Sequence, residues 1–143
     1  MYKKILIPLD NSKTDKAILD HVVSLAHDTK ADLVLVHVAD GFGARLQDEL
    51  NLVDSEEIKK DRSYLESCRG KLSKEGFNTK AILVQGREPV DGILDVAMEE
   101  GCDLIAMATH GHKFLKDVLL GSVAENLRHR TDIPILMIRS CVK

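Results

Sequence analysis

The residue types with the most chemistry in them fall in one stretch. Ala108-Thr109-His110-Gly111 is followed by nine residues and then by Gly121-Ser122. An apolar run, residues 104–107 ending at Met107, precedes the stretch and reads as a buried strand. Residues 123–130, opening on Val123, read as a short amphipathic helix. A glycine loop between a strand end and a helix start turns backbone N–H groups outward, and the helix dipole there favours an anion. The pattern predicts a phosphate-holding loop and, through it, a nucleotide site. Ser122 has two readings: a hydroxyl that donates to phosphate, or the first residue of an S-x-x-E capping box closed by Glu125. His110 and His112 flank Gly111. They are either ordinary loop histidines or a candidate base, and hydrolysis would also need a positioned water. Lys113 and Lys116 either neutralise phosphate or form a solvated face.

The elements that must position this stretch alternate along the chain. Residues 3–9 are a short apolar run stopped by the turn Pro8-Leu9-Asp10-Asn11. Residues 12–28 carry Ile18, Val22, Leu25 and Ala26 at helical spacing, with Ser12 as the expected N-cap and Asp15 three residues later. Residues 32–38 are a second strand, apolar almost throughout, as suits a strand covered on both faces. His37 within it reads as a hydrogen-bonded core residue. Residues 39–53, with Gly41-Phe42-Gly43, read as a loop that either covers the site or moves freely. Residues 54–75 form a long helix with Ile58, Leu65, Cys68 and Leu72 on one stripe. Then come a strand at Thr79–Gln85, a turn at Gly86, and a helix at Pro89–Glu100 closed by Gly101. A strand at 104–108, a helix at 122–130 and a strand at 135–138 complete the chain. Strand and helix in alternation predict an α/β fold with a mostly parallel sheet and helices on both faces, in one domain over residues 1–143.

Composition narrows the function classes. The chain has 143 residues, 44% hydrophobic and 30% charged, with net charge −3 and a pI near 6.1. Lys and Arg are spread along the chain, so no nucleic-acid footprint stands out. Aromatics are 3% and Trp is absent, which leaves no stacking platform for single strands or a flavin. Neither a G-x-x-x-x-G-K-[ST] loop nor a G-x-G-x-x-G after the first strand occurs. No apolar run approaches the roughly 18 residues of a membrane helix. Met1-Tyr2-Lys3-Lys4 leads straight into a strand, and Cys68, Cys102 and Cys141 form no CxxC pair. The expectation is a cytoplasmic protein with reduced thiols and no membrane or nucleic-acid partner.

Taken in order, these residues resemble the universal stress protein family, of the adenine-nucleotide-binding α/β type. The resemblance runs nearly end to end. It rests on Lys4-Ile5-Leu6-Ile7-Pro8-Leu9-Asp10-Asn11-Ser12, Leu35-Val36-His37-Val38, Ile93-Leu94-Asp95-Val96-Ala97 with Cys102-Asp103-Leu104-Ile105, Thr109-His110-Gly111 through Leu119-Leu120-Gly121-Ser122-Val123-Ala124-Glu125, and Pro134-Ile135-Leu136-Met137-Ile138. The family's ATP-binding branch has glycine where this chain has Ala108, and its first turn has glycine where this chain has Asn11. Alanine tolerates close backbone approach where φ is negative, and Asn is the side chain that best accepts left-handed geometry.

The resemblance implies a doubly wound, Rossmann-like sheet of five parallel strands in the order 3-2-1-4-5. Ligands in such sheets sit outside the strand carboxyl ends where the order reverses, here between Pro8-Leu9-Asp10 and the stretch from Ala108. It also implies that Asp10 meets the ribose or a phosphate-bound Mg2+ or Mn2+, against the plainer reading of a turn residue. The Val38 backbone would meet the adenine edge. Met107, Ala108, Gly111, His112, Gly121, Ser122 and Val123 would wrap the ribose and phosphates of ATP, ADP or AMP. A homodimer through the edge formed by Ile135, Leu136, Met137 and Ile138 is implied as well. The function expected is a nucleotide-dependent stress sensor or regulator with at most slow hydrolysis. The alternative is a stress protein that binds no nucleotide and acts through protein partners.

Overall fold

The computed structural model describes residues 1–39, 56–110 and 117–140, the side chains of residues 110, 117–122 and 140 excepted. Its elements are β1 (Lys4–Pro8), α1 (Asp15–Thr29), β2 (Asp32–Ala39), α2 (Glu56–Lys74), β3 (Thr79–Gln85), α3 (Pro89–Glu100), β4 (Leu104–His110), α4 (Asp117–Arg130) and β5 (Ile135–Ser140). The five strands form one sheet in the order β3-β2-β1-β4-β5, parallel at every pairing. Both the α/β class and the expected order are as anticipated.

Side chains on a strand alternate between faces, and the core divides accordingly. Ile5, Ile7, Leu33 and Leu35 pack with Ile18, Val22 and Ala26 of α1 and with Leu65 and Leu72 of α2. Leu6, Val34, Val36, Ile105 and Met107 pack on the other face, with Ile93, Val96 and Ala97 of α3 and Ala124 and Leu127 of α4. Two helices per face leave the inner strands no solvent side, which is why they read as continuous apolar runs. Asp103 fixes the entry to β1: its carboxylate accepts the Lys3 and Lys4 N–H groups at 2.9 and 3.0 Å.

Several element ends differ from the sequence expectation, and four of them bear on the candidate site. α1 begins at Asp15, with Thr14 as N-cap and no side-chain capping bond. Ser12 stands two residues ahead of that position, yet it makes the capping contacts expected of it: its Oγ accepts the Thr14 N–H at 3.3 Å while donating to Asp10 at 2.6 Å, and Asp15 Oδ2 accepts the Ser12 N–H at 3.3 Å. β2 runs on to Ala39, paired with Gln85. β4 runs to His110, because β5 continues beside it and pairs Thr109 with Arg139 and His110 with Ser140. α4 begins at Asp117, so Gly121 and Ser122 lie in its second turn and Ser122 heads no capping box. Glycine in a helix interior costs only about 1 kcal/mol relative to Ala, too little to stop a helix that Leu119 and Leu120 extend. The N–H groups without an intrahelical partner are those of the first four residues of a helix. Gly121 and Ser122 come after them, contrary to the expectation that their N–H groups are free for phosphate.

One glycine is set by packing. A Cβ built on Gly92 of α3 would lie 2.8 Å from Cγ2 of Val38 and 3.3 Å from Cγ1 of Val84, so α3 rides directly on β2 and β3. Gly70 of α2 has no atom within 4 Å of its built Cβ. Gly92→Val should therefore lower the unfolding free energy by about 1–3 kcal/mol through overpacking. Gly70→Ala should raise it by up to about 1 kcal/mol. Urea denaturation of the two variants checks both signs.

Candidate functional site

The site is framed by unequal strand lengths. β1 stops at Pro8, whose register partner is Val36. β2 continues three residues further to Ala39, and β4, on the other side of β1, continues to His110. β1 thus ends between two longer neighbours, at the place where the strand order reverses, and the chain leaves it through the turn at residues 9–14. Leu9 N–H donates to the Val36 carbonyl at 2.8 Å, which directs Val36 toward β1. Val38, two residues on, has its backbone groups on that same side by the strand's two-residue period, where β1 has already ended.

The turn that carries Asp10 is heavily hydrogen-bonded. Asn11 has φ 60°, left-handed, a geometry that glycine adopts freely and that Asn accepts best among the other residues. The Ser12 hydroxyl donates to Asp10 Oδ1 at 2.6 Å, and the Thr14 hydroxyl reaches Oδ1 and Oδ2 at 3.2 and 3.3 Å. The Asp10 carboxylate is thereby oriented by two hydroxyls. Behind it sits Asp15, 2% exposed. Its Oδ1 accepts the Asp10 N–H at 3.1 Å, and its Oδ2 accepts the Ser12 N–H at 3.3 Å and the Tyr64 hydroxyl at 3.0 Å. Burial first, and the neighbouring Asp10 charge second, push the Asp15 carboxyl up to about 7, against the opposing effect of the Asp10 N–H. Burial, then Asp15, hold the Tyr64 phenol well above its ordinary range.

A second acid of α2 adjoins this turn. Asp61 Oδ1 accepts the Asn11 amide at 3.1 Å, and Asp61 Oδ2 lies 3.3 Å from His37 Nε2. His37 Nδ1–H donates to the Leu9 carbonyl at 2.8 Å. His37 is the hydrogen-bonded residue the sequence suggested, and both backbone groups of Leu9 are engaged by the protein itself.

The sequence-predicted residues separate into three groups. Val38, Met107 and Val123 come together in the apolar cluster on the α3/α4 face. Leu9 and Ala108 pack in the cluster on the α1/α2 face. Ala108 keeps strand geometry beside Ile138 and is not among the described non-glycine residues with positive φ, Asn11 and Lys30, so its methyl meets no backbone objection. Pro8 and Asp10 stand at the end of β1. Gly111, His112, Lys113 and Lys116 lie outside the described residues, as do Gly41, Phe42 and Gly43. Gly86 has φ 73° and serves the turn. Cys68 and Cys102 are free thiols, and burial raises both; Cys141 is outside the description.

Sequence reasoning noted Asp15 only as the acid three residues after Ser12, and it missed Thr14, Asp61 and Tyr64. A signal existed. Asp15 continues the buried stripe of Ile18, Val22 and Ala26. Asp61 falls between Ile58 and Leu65, three residues after the one and four before the other, on the stripe of α2. A carboxylate on a helix's apolar stripe must find donors, and both do.

Among the described residues no three His, Cys, Asp or Glu side chains gather as a metal site. A single carboxylate such as Asp10 suits a magnesium-type ion that arrives on phosphates and keeps its waters. No helix of the described residues is long and apolar enough to cross a membrane.

Comparison with known proteins agrees with this architecture. The profile of the universal stress protein family matches residues 1–139. The universal stress protein MJ0577 of Methanocaldococcus jannaschii is 31% identical, over 97% of this chain and 96% of its own length. Universal stress protein YxiE of Bacillus subtilis is 28% identical, over 97% of this chain and 100% of its own. The solved structure of MJ0577 superposes with a TM-score of 0.81 at 34% identity, covering 97% of this chain and 96% of that one. A universal stress protein from Archaeoglobus fulgidus, solved in complex with dAMP, shares the fold with a TM-score of 0.70 at 24% identity, over 96% of this chain and 98% of that one.

The raised Asp15 has a direct consequence for stability. Between its unfolded value near 3.8 and its folded value near 7, the native state holds a proton that the unfolded state has lost. This group's contribution to stability therefore falls as pH rises through that window and is level above it. The stability gap between wild type and Asp15→Ala should shrink by about 2 kcal/mol between pH 5 and pH 8. Denaturant titrations at the two pH values measure it.

Proposed function

The chain belongs to the universal stress protein family, and on that premise we propose that it binds ATP or a related adenine nucleotide in a crevice over β1 and acts as a nucleotide-dependent regulator. The observation that supports this best is the early end of β1 beside a carboxylate held by two hydroxyls. The crevice offers Val38 N–H and C=O, a donor and an acceptor side by side, which match the donor and acceptor on the edge of adenine. Val123 supplies apolar surface beneath the base, backed by the buried Met107 of the same cluster. Asp10 accepts from a ribose hydroxyl or ligates a Mg2+ or Mn2+ carried by the phosphates. Pro8 and Leu9 shape the floor, Ala108 borders it, and Gly111, His112, Gly121 and Ser122 flank the phosphates, the last two by close approach and not through free N–H groups. When bound, the metal neutralises phosphate charge, and the residues named hold and orient the ligand. That the A. fulgidus protein of this fold was solved with dAMP makes an adenine nucleotide the ligand class to test.

The proposed assembly is a homodimer. β5 is an edge strand of the sheet, with Ile135, Leu136 and Ile138 partly buried and Met137 48% exposed. An apolar edge with unpaired backbone groups invites a second copy.

Two measurements test these readings. Calorimetric titration of Mg–ATP into nucleotide-free protein should show binding that Asp10→Ala weakens by about tenfold or more and that Gly121→Val reduces further through bulk on the phosphate side. No wild-type binding would turn the function toward protein partners. Sedimentation at about tens of micromolar protein should give a dimer that Met137→Lys dissociates, and a monomeric wild type would remove the edge-strand assembly.

A further inference from the structure

A buried acid beside another acid is an expensive way to finish an apolar stripe. Asp15 occupies a stripe position of α1 that a small apolar residue would complete without a desolvation cost. Its three acceptor contacts all serve the turn that carries Asp10: the N–H of Asp10 itself, the N–H of Ser12, and the Tyr64 hydroxyl from α2. The Ser12 N–H bond fixes the residue whose hydroxyl then orients the Asp10 carboxylate. Tyr64 in turn also reaches the Ser12 carbonyl at 3.4 Å, so α2 holds the turn at two points. Carboxylate, turn and second helix thus form one connected unit, and Asp10 is the member at its open end.

We propose that Asp15, fastened from α2 by Tyr64, is the positioning residue that sets the Asp10 carboxylate for the ribose or the phosphate-borne metal. This rests on the nucleotide reading above and deepens it. Asp15 touches no ligand, and its effect passes through Asp10 alone. Residues that orient a ligand-contacting group typically matter about ten- to a hundredfold in affinity, and two residues acting through one contact are non-additive.

The experiment is a double-mutant cycle, read by calorimetric titration of Mg–ATP and, separately, of adenine. The variants are Asp15→Asn, Tyr64→Phe, Asp10→Asn, and each of the first two combined with Asp10→Asn. Asp15→Asn should weaken Mg–ATP binding by about tenfold, Tyr64→Phe by a smaller factor, and neither should weaken it further once Asp10→Asn is present. Adenine, which reaches Val38 and not Asp10, should bind all variants within about twofold of wild type. Losses that multiply with Asp10→Asn, or that extend equally to adenine, would mean a general structural role and overturn the proposal. If Asp15→Asn does not fold, Tyr64→Phe carries the same cycle. Wild-type binding with Asp15→Asn and Tyr64→Phe unchanged overturns this inference alone, whereas no binding by the wild type overturns the nucleotide reading with it.

Discussion

The early end of β1 is the constraint on which the rest of the structure depends. β1 is the first strand made and lies in the middle of the sheet, with β2 on one side and β4 on the other. Because the chain builds outward from it in both directions, connecting helices cover both faces, and the strand itself is wholly buried. Ile5, Leu6 and Ile7 are each 0% exposed. Its neighbours have no such need to stop where it stops. They carry on while β1 turns away through Pro8 and Leu9, and the length it leaves lies between two strand ends. The position of the proposed site thus follows from the topology, and the turn after β1 brings polar groups to it.

That turn is held by a division of labour among short side chains. Asn11 takes the left-handed position that reverses the chain, and its amide is claimed by Asp61. Ser12 and Thr14 give their hydroxyls to Asp10. Asp15, behind them, takes the N–H groups that the turn would otherwise leave unmet. Two acids on the apolar stripes of two helices therefore hold one loop from two sides. Each costs desolvation, and each recovers part of it in hydrogen bonds. The hydrogen bonds so made tie the turn that carries Asp10 to both helices.

The departures from the family pattern follow from the same geometry. Alanine replaces a glycine at 108 without strain because β4 remains a strand through that residue, held by β5. Asparagine replaces a glycine at 11 because its amide finds a partner on α2 while its backbone adopts the left-handed region. At Gly92 the demand is space: α3 lies so close to Val38 and Val84 that a Cβ would collide. At 11 and 108 what counts is the φ angle, and at 92 it is the distance to the next element.

Much of the fold was legible from residue order alone. Alternating apolar strands and amphipathic helices, with Gly86 and Gly101 at the breaks, determine the α/β class, because each local pattern depends on neighbours a few residues away. The ends of β3 and α3 follow for the same reason. The strand order was available only through resemblance. What only the tertiary structure decided were features set by partners far along the chain. β4 runs two residues past Ala108 because β5 lies beside it. α4 starts ahead of Gly121 because glycine is a weak helix breaker beside two leucines. Asp15 and Asp61 looked like ordinary helix residues, and they became the support of the site because α1 and α2 converge on one turn, where a buried carboxylate must be met by donors from another element.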